Sequence, residues 1–79
     1  MLYWGKEDVL MYANVCELIG SNMKRLREKA GLSQKQMAEY CKTYERKIRR
    51  VERSCNDWNM MDKYAEYCNA TDPSDFFRA

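Results

Sequence analysis

Apolar residues recur at alternating spacings of three and four from Val9 through Tyr12, Cys16, Ile19, Met23 and Leu26 to Ala30. The spacing predicts an amphipathic first helix, opening at Lys6-Glu7-Asp8, where acids meet the positive end of the helix dipole. Gly20 interrupts this stripe, so one long helix and two consecutive helices both fit. Gly31 follows the last periodic residue, with Arg27 and Lys29 in the last turn, which is a C-cap pattern. Ser33 and Gln36 then form a capping box for a second helix, whose inner face is Met37, Ala38 and Cys41. After Lys42-Thr43-Tyr44 a third helix runs over Tyr44 to Arg53, with Ile48 and Val51 inward. The loop Ser54-Cys55-Asn56-Asp57 leads to a fourth helix, Trp58 to Cys68, with Trp58, Met61, Tyr64, Ala65 and Cys68 inward. Asp72 caps a last short helix opened by Pro73, which brings Phe76 and Phe77 to the core. The expectation is an all-α domain of five helices, with no strands, repeats or linkers.

Seventy-nine residues, 46% hydrophobic and 33% charged, make one small globular domain at most. One Pro and three Gly are too few for a turn-rich β domain. No apolar run can span a bilayer and no secretory signal pattern opens the sequence, so a cytoplasmic protein without membrane contact is expected. The net charge of +2 hides a strong asymmetry. Residues 24–53 carry eleven of the fourteen Lys and Arg but only four acids, while the remainder carries three bases and eight acids. Such a cationic block is the footprint of phosphate-backbone binding, although solvated helix faces give the same count.

Cys16, Cys41, Cys55 and Cys68 are 25, 14 and 13 positions apart, with no close pair and no histidine anywhere. That spacing argues against zinc, and no other metal or cofactor is called for. Cys16, Cys41 and Cys68 fall on apolar stripes and read as core filler, while Cys55, in a loop, reads as the reactive thiol. Without histidine, no Ser-His or Cys-His pair can form within one chain, and no GxxxxGK phosphate loop occurs. The reading is a binding module and not an enzyme, with no small-molecule ligand evident.

Two short helices joined by about three residues, the second crowded with Arg and Lys, suit a helix-turn-helix whose second helix enters the major groove. Tyr44, Glu45, Arg46, Lys47 and Arg50 would present polar groups to base edges, and Gln34 would clamp a phosphate beside the free amides of the second helix.

The stretch from Ile19 to Phe77 resembles the helix-turn-helix domain of phage repressors, Cro proteins and xenobiotic-response-element-type regulators. The resemblance rests on Arg27-Glu28-Lys29-Ala30-Gly31-Leu32-Ser33-Gln34 with Met37-Ala38-Glu39, on Ile48-Arg49-Arg50-Val51-Glu52-Arg53, and on Tyr64-Ala65 with Asp72-Pro73-Ser74-Asp75-Phe76-Phe77. It implies a repressor-like domain over residues 19–79 and double-stranded DNA as the partner, and it leaves residues 1–18 outside as an N-terminal helical extension. It also implies a structural ion pair between Arg27 and Glu52. Base-reading positions then fall on Tyr44, Glu45, Arg46, Lys47 and Arg50, with phosphate contacts at Gln34, Lys35 and Arg53. The function implied is a sequence-specific transcriptional regulator, acting as a dimeric repressor. The alternative is a helix-turn-helix module working through a protein partner, of the antitoxin or antagonist type. The chain departs from the family pattern at Lys42, where a glycine is usual and lysine requires either a strained left-handed backbone or a reshaped turn, and at Tyr44, where a small cap is usual. Glu45 is a further departure, and the 54–57 loop is short. The apolar clusters Leu2-Tyr3-Trp4 and Val9-Leu10-Met11-Tyr12 suggest a homodimer interface, or an extension that wraps its own domain.

Overall fold

A computed structural model of the chain describes residues 6–70 and 72–78, with side chains from residue 11 onward. The described residues form four α-helices, α1 (Lys6–Lys29), α2 (Gln34–Tyr40), α3 (Glu45–Arg53) and α4 (Trp58–Tyr67), followed by a 3-10 helix (Pro73–Phe76) and no strand. The regular structure of the described residues is therefore all-helical. None of these helices is long and apolar enough to cross a membrane. The Leu2-Tyr3-Trp4 cluster and the Val9 and Leu10 side chains lie outside the described residues.

The first helix is continuous, and Gly20 neither breaks nor loosens it. Its glycine serves packing instead. A Cβ built at Gly20 would lie 2.7 Å from the Val51 carbonyl oxygen and 2.9 Å from that of Glu52. The bare Cα lets the last turn of α3 press against α1, where any side chain would meet rigid backbone. Along α1, residues 11–15 are all exposed and Cys16 is the first buried side chain, followed by Ile19, Asn22, Met23 and Arg27. Tyr12 and Ala30, both on the apolar stripe, lie on the surface, because the stripe outruns the body of the domain at both ends.

Three helices end alike. Leu32 N–H donates to the Arg27 carbonyl at 3.1 Å, Thr43 N–H to Ala38 at 2.9 Å and Ala70 N–H to Ala65 at 3.0 Å. Each bond closes a Schellman-type end around a left-handed residue: Gly31 at φ 76°, Lys42 at φ 54° and Asn69 at φ 57°. Gly31 adopts that conformation freely, while Lys42 holds it against its own Cβ. At their starts, Ser33 and Gln36 form the full capping box of α2, and Asp57 accepts from the Asn59 and Met60 amides.

The core gathers Ile19, Met23, Met37, Ala38, Cys41, Ile48, Val51, Met60, Met61, Tyr64 and Phe76. From Trp58 onward, two expected core residues are not in it. Trp58, at the first position of α4, is 70% exposed, and Phe77, just past the 3-10 helix, is 46% exposed. Met60 occupies the inner face of α4 that Trp58 was expected to share. Asn22, fully buried, donates from Nδ2 to the carbonyls of Phe76 at 2.9 Å and Arg78 at 2.8 Å, which pins the C-terminal segment to α1.

Two substitutions test this packing. Gly20→Ala adds helix propensity yet should cost about 1–3 kcal/mol in urea unfolding, because its methyl meets backbone that cannot move aside. Lys42→Gly should raise stability by about 0.5–1 kcal/mol by relieving the left-handed strain, net of glycine's greater unfolded-state freedom.

Candidate nucleic-acid interface

The pair α2–α3 is set by local chemistry first. The capping box starts α2, its Schellman end stops it, and Cys41 to Tyr44 turn the chain into α3. Tyr44 is the N-cap of α3 in an extended conformation, with no side-chain bond to the helix. Tyr44 is 80% exposed. Ile48 and Val51 then fix the inner face of α3 against α1 and α2.

The opposite face of α3 is basic. Arg46, Arg49, Arg50 and Arg53 are all exposed, at the i, i+3, i+4, i+7 spacing that lines one side of a helix. Tyr44, Arg46, Lys47, Arg49 and Arg50 line an open groove there. Two acids temper this surface. Glu45 lies 3.8 Å from Arg49, and Asp57 lies 3.6 Å from Lys47. Both pairs are open to solvent, Asp57 being half-buried, and each is weak. Arg46 and Arg50 have no hydrogen-bond or ion-pair partner among the described residues.

Among the phosphate-contact candidates, Lys35 and Arg53 stand exposed. Gln34, at the first turn of α2, is half-buried and turned inward, with Nε2 donating to Glu52 Oε1 at 3.4 Å. Arg27 meets Glu52 through two bonds, Nε to Oε2 at 2.6 Å and Nη2 to Oε1 at 3.1 Å. A third bond, from Arg27 Nη1, reaches the Leu32 carbonyl at 2.7 Å and braces the α1–α2 turn. Tyr64 on α4 donates its hydroxyl to Glu52 Oε2 at 2.7 Å. Sequence reasoning read Tyr64 only as apolar filler. The overlooked signal is a tyrosine on an apolar stripe, since a buried hydroxyl needs an acceptor. Asn22 was overlooked in the same way, one position before Met23.

This burial shapes the acid–base behaviour. Burial first, then the hydrogen bond to Glu52, pushes the Tyr64 hydroxyl far above the ordinary phenol range. The bonded Glu52 carboxylate holds the Arg27 guanidinium still more firmly protonated. All four cysteines are buried free thiols. Cys55, expected to be reactive, is 1% exposed and its thiol is pushed up by burial, so its loop position does not make it available. Burial also pushes up Cys41 and takes Cys68 to about 11. No group of three or more potential ligands is placed to hold a metal ion among the described residues.

No protein-family model matches the chain, and no curated protein or solved structure matches it either.

Removing the Glu52 carboxylate should be severe. Glu52→Ala strands the Arg27 charge and should cost about 3–5 kcal/mol in urea unfolding, while Tyr64→Phe should cost about 1–3 kcal/mol. The raised thiol and phenol values also set an alkaline limit. Groups held protonated in the fold but free to ionise when unfolded stabilise the protein fully below their unfolded values. That stability drains as pH rises through the interval above them. Unfolding midpoints should therefore fall from about pH 9 upward, where unfolded thiols ionise first and phenols follow. Cys68→Ala should flatten the decline between its unfolded range and about 11.

Proposed function

We propose that this chain is a sequence-specific double-stranded DNA-binding regulator of transcription, with α2 and α3 as a helix-turn-helix. In this reading α3 lies in the major groove, and two copies act together as a repressor. The observation that carries it is the exposed row Arg46, Arg49, Arg50 and Arg53, opposite an inner face anchored by Ile48 and Val51. A nine-residue helix is about 13 Å long, enough to follow a few base pairs of the groove. Arg46 and Arg50, whose side chains have no partner among the described residues, are the ones to meet guanine edges, and Lys35 and Arg53 supply phosphate contacts. Gln34 serves this surface by ordering the start of α2 through Glu52. The exposed Met11 and Val15, one turn apart on α1, are the residues for the two-fold contact.

A second reading has one specific support. Tyr44 is a large exposed ring and Glu45 a carboxylate at the start of α3, which suits a protein partner of the antitoxin or antagonist type better than a phosphate surface.

Binding to random-sequence duplex DNA across a salt series separates the two. The DNA reading expects micromolar or tighter binding at low salt, a steep fall with salt through counterion release, and weaker binding in Arg46→Ala and Arg50→Ala. Each substitution should cost about 1–3 kcal/mol on a selected operator. No binding at low salt would sink the DNA reading and favour an acidic protein partner.

A further inference from the structure

Two of the four thiols belong to segments that are hydrogen-bonded to each other. The Cys55 amide donates to the Cys16 carbonyl at 2.9 Å, so the loop after α3 is bonded directly to α1. That bond, with the covalent reach from each atom to its own Cα, keeps the two Cα atoms within about 6.8 Å, inside the span a disulfide bridges. Both side chains are buried, and the Cys16 sulfur acts electrostatically on the Cys55 thiol, whose hydrogen bonds go to the Asp57 backbone. The close approach follows from Gly20, which lets the end of α3 reach α1.

We propose that Cys16 and Cys55 are a modification site: a thiol pair that hydrogen peroxide converts to a reversible disulfide tying α1 to the end of α3. Cys16 reacts first. It is the more exposed of the two, and it begins the buried part of α1 directly after five exposed residues, so local opening of those turns uncovers it. Its sulfur takes one oxygen from peroxide to become a sulfenic acid, and the other oxygen leaves as water. The Cys55 sulfur then displaces the hydroxyl, which leaves as a second water with the Cys55 proton. Two electrons from the two sulfurs reduce one peroxide. The bond closes a ring of roughly 40 residues and stabilises the fold by restricting the unfolded chain. This inference does not depend on DNA binding.

The test treats the full reduced chain with hydrogen peroxide under native conditions, removes the excess with catalase, and maps the peptides without reduction. The expected result is an intact mass lower by two hydrogens and a linked peptide pair holding Cys16 and Cys55, both reversed by dithiothreitol. Thermal unfolding of the oxidised wild type needs no variant and should show Tm raised by about 10 °C or more. Cys55→Ser should abolish the link. A Cys41–Cys68 link in its place, oxygen addition without a link, no reaction, or a Cys16–Cys55 link that lowers Tm would each overturn the proposal.

Discussion

One carboxylate holds the four helices in register. Glu52 belongs to α3 and receives Arg27 from α1, Gln34 from α2 and Tyr64 from α4. Four donors on two oxygens approach the full capacity of a carboxylate. A charge this deeply buried is tolerated only when paired and fully bonded, so the arrangement demands that all four helices arrive together. Apolar contacts alone allow neighbouring packings of similar energy, whereas this network has one geometry that satisfies it. No described buried side-chain nitrogen or oxygen lacks a partner.

The exposed face of α3 depends on that network. Ile48, Val51 and Glu52 fix how the helix is rotated, and its rotation aims Arg46 and Arg50 outward. Gly20 sets how closely α3 approaches α1, because backbone carbonyls lie where a side chain would stand. The same approach brings the Cys55 amide onto the Cys16 carbonyl. Helix contact, the basic row and the thiol pair therefore share one structural cause.

Charge is segregated accordingly. The basic residues concentrate on α3 and the flanks of α1 and α2, while α4 and the closing segment carry Asp57, Asp62, Glu66, Asp72 and Asp75. Asn22 fastens the closing segment to α1 through two backbone carbonyls, and Phe76 fills the space beneath. Trp58 and Phe77 remain on the surface, beside a groove that Met61 and Pro73 also line.

Much was legible along the chain. The three-and-four stripe, the Ser33–Gln36 capping box, Gly31 after the last turn and Asp72-Pro73 marked where helices begin and end, because these are local signals that act within a turn or two. The left-handed Lys42 was suggested only by the resemblance, which left a reshaped turn open as well, and the structure takes the first course. What lay beyond the sequence were relations between elements. Gly20 reads as a helix breaker until α3 is placed against it, and Cys55 reads as a reactive loop thiol until α1 covers it. Trp58 and Met60 compete for one inner face of α4, and hydrophobicity alone favours the tryptophan that the packing leaves outside. The buried hydroxyl of Tyr64 and the amide of Asn22 gain their roles only from partners 12 and 54 positions away. Local periodicity determines which residues form helices; the angle and distance at which helices meet decide which of those residues are buried, bonded or left to face a partner.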